Sequence, residues 1–111
     1  MFLSITVINF NKIYKLIHAL LNMGLTGIKY KILPESLEVN LKELEEKIKK
    51  VIEKNNGENR EYSIEPIAFG LKAIIAFFFC EEDNDLENIE KQIELIKGVS
   101  SIQLIDMRKV A

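Results

Sequence analysis

One stretch limits what this chain can fold into more than any other. Residues 71–80 read LKAIIAFFFC, apolar at every position but Lys72. Ten residues fall far short of the ~20 needed to cross a bilayer as a helix. Turn-forming sequence lies on both sides: Ala68-Phe69-Gly70 before it, and the acidic run Glu81 to Asp85 after it. A short, bounded, nearly continuous apolar run suits a central β-strand, covered on one face and hemmed in by neighbouring strands. Such a strand needs a partner on each side and a layer over at least one face, and the rest of the chain must supply them.

The flanking sequence supplies five more elements in order. Ile28 to Leu33 (IKYKIL) alternates apolar and polar residues, the period-2 mark of a half-buried strand, and Pro34 closes it. Asn40 is a helix cap, with Glu43 three residues on as a capping box requires. Leu41, Leu44, Ile48, Val51 and Ile52 then lie along one helical face as far as about Lys54. Glu45–Lys49 and Glu46–Lys50 are i,i+4 pairs on the other face, and Asn55-Asn56-Gly57 ends the helix. Glu61 to Ile67 reads as a strand, and Pro66 assigns it to a sheet edge or a strand end. After the central strand, Asp85 caps a second helix with stripe Leu86, Ile89, Ile93 and Ile96. Gly98 stands at the C′ position, and Ile102, Leu104 and Met107 mark a last strand.

The order is βαββαβ over residues 28–110. This predicts a ferredoxin-like α+β sandwich: an antiparallel four-stranded sheet with both helices on one face, packed through Leu44, Ile48, Ile89 and Ile93. The chain of 111 residues is long enough for one such domain and not for two. Residues 1–27 stand apart. No acidic residue occurs between Met1 and Asn22. Two origins stay open for this segment. It is either upstream sequence translated from an early start codon, with Met23 the natural start, or a real extension. In the second case Phe2 to Phe10 forms an edge strand, and Ile13, Leu16, Ile17, Leu20 and Leu21 lie at helical spacing. The apolar start has no preceding positive charge and no small-residue cleavage site, which speaks against a secretory signal.

Composition narrows the function classes. The chain has 15 basic and 17 acidic residues, a formal net charge of −2, and so no broad electrostatic footprint for nucleic acid. Cys80 is the only cysteine and His18 the only histidine. No internal disulfide or Cys-rich zinc site is available, and the main domain lacks the residue type that most often does acid–base work near neutral pH. No phosphate-binding glycine loop and no nucleophile–base set is present. The acidic cluster Glu81-Glu82-Asp83 fits no calcium-loop spacing and reads as a solvated loop. These features point to a cytoplasmic protein that needs no metal or cofactor and does not span a membrane.

Two places stand out. In Glu65-Pro66-Ile67-Ala68-Phe69-Gly70-Leu71-Lys72 a bulky aromatic sits at a turn, between a residue that stiffens the chain and one that permits positive φ. Phe69 either folds back onto the core or stands outward as an anchor for a partner. The second place is the tail, Asp106-Met107-Arg108-Lys109-Val110-Ala111, where Lys109 follows directly from the last strand.

These segments resemble the exchange domain of the elongation factor 1-beta family. The family signature reads roughly Pro-Val/Ile-Gly-Phe/Tyr-Gly-Ile-Lys-Lys-Leu. Pro66, Ile67, Phe69, Gly70, Leu71 and Lys72 fall on it in order, with Ala68 in place of a Gly. The tail Met107-Arg108-Lys109-Val110 is similar to the family's Met-Gln-Lys-Leu, which puts Lys109 on its penultimate lysine, and Ala111 follows where the family often ends. Leu33-Pro34-Glu35-Ser36 resembles archaeal members. The likeness covers about residues 28–110. It implies a ferredoxin-like fold and a guanine-nucleotide exchange factor that makes and breaks no covalent bonds. The implied partner is the GTP-binding elongation factor 1-alpha, with no direct contact to nucleic acid. It further implies that Phe69 wedges into the partner, that Lys109 disturbs the partner's magnesium site, and that Lys72 and Arg108 are rim charges. Both critical residues should then lie near each other in space.

Two other readings of the same fold remain. An RNA-binding module would use Phe77 and Phe79, which share a strand face opposite Phe78, as a stacking platform, but it lacks flanking basic residues. A small-molecule regulatory module would want a glycine-rich loop after the first strand, and Pro34 to Asn40 contains no Gly.

Overall fold

A computed structural model describes residues 24–110. The strand and helix expected within residues 2–21 lie outside the described residues. The described chain runs β1 (Leu25–Pro34), α1 (Leu41–Lys54), β2 (Glu58–Pro66), β3 (Lys72–Glu81), α2 (Leu86–Glu94), β4 (Val99–Lys109). The strands form one antiparallel sheet in the order β2-β3-β1-β4. This is the expected ferredoxin-like arrangement. The apolar run is central as expected, and β2, with Pro66 at its end, is an edge. The first strand begins at Leu25, three residues before the point where its alternation becomes legible.

Period-2 alternation sorts the side chains of the sheet. Ile28, Tyr30 and Ile32 of β1 and Ile74, Ala76, Phe78 and Cys80 of β3 are buried with Leu44, Ile48 and Ile52 of α1 and Ile89 and Ile93 of α2. Both helices therefore cover the same sheet face. Fully burying an aliphatic or aromatic side chain contributes about 1.5–3 kcal/mol, so these residues dominate the stability. Tyr30 carries the one hydroxyl in this layer, and it donates to Glu90 Oε2 at 2.8 Å. Burial, reinforced by that carboxylate, raises the Tyr30 phenol well above its ordinary range.

The helix ends follow local chemistry. Asn40 Oδ1 accepts from the Lys42 and Glu43 N–H groups. The return bond from the Glu43 side chain is not made, so the cap is half of a capping box. At the other end of α1 the left-handed residue is Asn56 (φ 64°), with Gly57 N–H on Ile52 O at 2.8 Å and Asn56 N–H on Glu53 O at 3.1 Å. That is a Schellman closure with Asn in the strained position. Gly57 serves a different need: a Cβ there would collide with Ile52 Cγ2 and lie 3.2 Å from Phe78. Asp85 caps α2 through the Asn88 N–H. Gly98 departs from expectation. The helix stops at Glu94, so Gly98 is not its C′ residue. It sits in the turn closed by Val99 N–H on Ile96 O, at φ 103°, and β4 begins directly after it. Of the two ion pairs expected on α1, Glu45–Lys49 forms at 3.3 Å, and Glu46–Lys50 does not.

Candidate functional site: the two ends of the sheet

The Pro66–Lys72 segment makes the connection between β2 and β3. Leu71 N–H bonds Ala68 O at 3.2 Å, and Ile67 N–H bonds Leu71 O at 2.8 Å. The two residues between, Phe69 and Gly70, both have positive φ (62° and 75°). Successive left-handed residues are the geometry of a type I′ turn, which favours Asn-Gly or Gly-Gly at its centre. A left-handed conformation costs a residue with a Cβ about 1–2 kcal/mol. Phe69 is nonetheless 93% exposed, so no packing offsets that cost. The turn was legible in the sequence; the strain on the aromatic itself was not, because positive φ was expected of Gly70 alone. Of the two readings of Phe69, the one that folds it back onto the core is excluded: the ring is turned to solvent.

Lys72, the first residue of β3, is exposed and opposite Pro66. Leu71 is half-buried and Ala68 exposed. Beside the turn stands Leu37, in the loop from β1 to α1, which the sequence reading passed over. It is 69% exposed, and its Cδ2 would lie 3.6 Å from a Cβ built on Gly70. Lone exposed leucines are ordinary; this one adjoins the turn that carries an exposed aromatic.

The tail lies elsewhere. Lys109 is opposite Thr26, and Thr26 is opposite Cys80. Val110 N–H bonds Leu25 O at 2.8 Å, so the backbone is held on both sides of the lysine. The Phe69 turn precedes Lys72, at the other end of β3. At ~3.3 Å per residue, the two sites are separated by roughly 25–30 Å along the strands. The expectation that Phe69 and Lys109 are neighbours is therefore wrong. The antiparallel order makes β3 and β4 run the same way, so the start of one and the end of the other cannot meet.

Lys109 Nζ is 3.0 Å from Glu82 Oε1. Glu82 N–H bonds Gly24 O at 3.0 Å, and a Cβ on Gly24 would collide with the Glu82 carboxylate. The glycine thus leaves the space in which the acid reaches the lysine. Both partners are substantially exposed, and such a pair contributes only ~0–1 kcal/mol. Arg108 alternates to the opposite face, where it pairs with Asp106 at 3.0 Å. Arg108 and Lys109 consequently do not address the same surface.

The face of the sheet away from the helices carries Phe77 and Phe79, in edge contact at 5.4 Å. Lys29 lies over the first ring at 5.6 Å and Arg60 over the second at 5.0 Å. Glu58, Glu65 and Asp106 share this face by register and balance its cations. The rings are half-buried and already covered by the chain's own side chains, which disfavours a bare stacking platform.

The architecture is widespread. Ribosomal protein S6 from Thermotoga maritima superposes with a TM-score of 0.58 at 16% identity, over 78% of this chain and 88% of that one, which establishes the ferredoxin-like class and nothing of function. Sequence comparison goes further. Residues 27–110 match the EF-1 guanine nucleotide exchange domain. The chain is 38% identical to Elongation factor 1-beta of Methanosarcina barkeri over 89 residues, covering 79% of this chain and 100% of that one. It is 48% identical to Elongation factor 1-beta of Nanoarchaeum equitans over 68 residues, 57% and 82% of the two chains. The chain belongs to the EF-1 guanine nucleotide exchange domain family, with archaeal elongation factors 1-beta among its relatives. Among the described residues no helix is long and apolar enough to cross a membrane.

Proposed function

We propose that this chain acts in the cytoplasm on the GTP-binding elongation factor 1-alpha and promotes replacement of its GDP by GTP. It does so without covalent chemistry and without touching nucleic acid. The observation that carries this reading is Phe69, an aromatic held in a strained conformation and turned to solvent within the segment that resembles the family signature. Backbone strain retained with no local return is a mark of a functional residue.

An exchange factor binds the nucleotide-free partner more tightly than the GDP-bound one, and by linkage lowers GDP affinity by the same factor. With the two candidate sites 25–30 Å apart, the chain works as a brace. Phe69 fills a pocket on one part of the partner, flanked by Pro66, Ile67, Ala68, Gly70, Leu71 and the Lys72 rim charge. Lys109 reaches the magnesium and phosphate region on another part. A cation placed about 4 Å from a divalent metal ion is repelled by several kcal/mol even at an effective dielectric near 20. Lys109 must first leave Glu82, at the small cost of an exposed pair. Arg108, on the other face, acts through association rate at most. Release of fluorescent GDP from elongation factor 1-alpha, followed by stopped flow at several Mg²⁺ concentrations, tests the scheme. Unaltered release in both Phe69→Ala and Lys109→Ala would sink it.

We further propose that residues 1–22 take no part in this activity. A chain starting at Met23 should melt and exchange like the full one; a large fall in melting temperature would show that the segment packs on the domain.

A further inference from the structure

We propose that Leu37 is a second apolar anchor for the partner, and that the groove between Leu37 and Leu71 receives an aliphatic side chain projecting beside the pocket that takes Phe69. The inference rests on the exchange-factor reading and adds a contact to it. The groove has a volume of about 250 Å³ and is lined by Pro34, Leu37, Val39, Leu41, Gly70 and Leu71 among others. Six of its eight lining residues are of apolar type, with Ser36 and Lys72 completing it, and polar and apolar atoms share its exposed wall about equally. Leu37, 69% exposed, is part of its lining, and so is Gly70, the residue directly after the exposed Phe69, so the recess and the Phe69 turn are continuous.

The loop that carries Leu37 is held at both ends. Glu35 N–H bonds Gly98 O at 2.8 Å, Val39 N–H bonds Ser36 O at 3.4 Å, and Glu38 N–H bonds Ser36 Oγ at 3.3 Å. A side chain presented from a fixed loop loses little freedom on binding. Residues of high binding energy cluster and face their counterparts in the partner's pockets. A partner that takes Phe69 at this end of the sheet cannot avoid Leu37, whose Cδ2 leans on the same turn. The occupant that fits is therefore the apolar rim of the Phe69 pocket on elongation factor 1-alpha.

The test is titration of purified elongation factor 1-alpha into the full chain by calorimetry, with melting curves recorded for each variant. Leu37→Ala should raise Kd about tenfold, equal to ~1.4 kcal/mol, and Leu37→Met should stay within about twofold of wild type. Leu95→Ala, a change at another exposed leucine beyond α2, should leave Kd unmoved. Phe69→Ala separates this inference from the reading beneath it. If Phe69→Ala weakens binding and Leu37→Ala does not, the second anchor is refuted while the function stands. If neither changes Kd, the function itself fails and the inference falls with it. If Leu37→Ala reduces self-association in sedimentation without touching partner affinity, the groove belongs to a second copy and the inference is overturned.

Discussion

The two ends of this sheet are built on opposite principles. At the Phe69 end, backbone strain holds an aromatic in water on a turn that adjoins an exposed leucine and a shallow recess, with Lys72 as the nearby charge. At the Lys109 end, the backbone is an ordinary strand and the proposed functional group is a charge, held on a weak leash by Glu82. The apolar end is suited to affinity, because burial of large apolar groups yields binding energy in every state of the partner. The charged end is suited to discrimination, because repulsion of a metal ion acts only where the ion is present. Binding and exchange should therefore separate by mutation, one at each end.

The sharpest separation comes from Lys109→Ala. GDP release should slow by about a hundredfold, the equivalent of roughly 2.7 kcal/mol, with partner affinity altered less than threefold and partial rescue at low Mg²⁺. Stopped-flow release and calorimetry on the same variant check both halves. If affinity and release fall together, the division between the ends is wrong.

Phe69→Asn should split stability from binding. It places Asn-Gly at the turn, the pair that type I′ geometry favours. Relief of the left-handed strain should raise stability by about 1 kcal/mol, or roughly 4–8 °C for a domain of this size. Partner affinity should fall by about thirtyfold, ~2 kcal/mol, as expected for loss of a central aromatic anchor. A lowered melting temperature would show that the ring packs on the domain after all.

A third measurement probes the core beneath the charged end. Burial, aided by the nearby Glu81 and Asp83, pushes the Cys80 thiol up to about 11. Between the ordinary value near 9 and this one, the unfolded chain has lost the proton and the folded chain retains it. The unfolded state then binds fewer protons, so stability must fall as pH rises across that window. Burial raises Tyr30 and Tyr62 as well, which extends the loss above pH 10. Thermal melts of wild type and Cys80→Ala from pH 8 to 11 should diverge, with the variant showing the shallower decline. Parallel curves would mean that the thiol is less enclosed than its place in the core implies.

The smallest effect is expected from Glu82→Gln. It frees Lys109 from an exposed pair worth ~0–1 kcal/mol, so melting should move by less than the roughly 4–8 °C that a full 1 kcal/mol would give. Release should quicken by up to about threefold, since the ammonium no longer has to leave a carboxylate. Slower release would recast Glu82 as the group that positions the lysine.

Much of the architecture is local and was legible without coordinates. Asn40 and Asp85 cap helices, Pro66 ends an edge strand, and the alternation through Phe77, Phe78 and Phe79 sends the middle ring into the core. These are consequences of periodicity and capping, which each segment carries by itself. Gly98 shows where that reasoning slips. A glycine after a helical stripe suggested a C′ cap, yet Ile96 packs beneath the chain from a turn rather than from a helix. Apolar spacing cannot tell a last helical turn from a tight connection that buries the same residue.

The sequence by itself determined the βαββαβ order and the identity of the core, and it singled out the Pro66–Lys72 and Arg108–Lys109 segments as candidates. Only the tertiary structure decided that these segments lie at opposite ends of the sheet, that Leu37 stands beside the Phe69 turn, and that Glu82 holds Lys109. The physical reason is range. Periodicity, caps and turns are set by residues within one or two turns of each other. Strand order and register are set by packing among residues far apart in the chain, and it is register that places one side chain beside another.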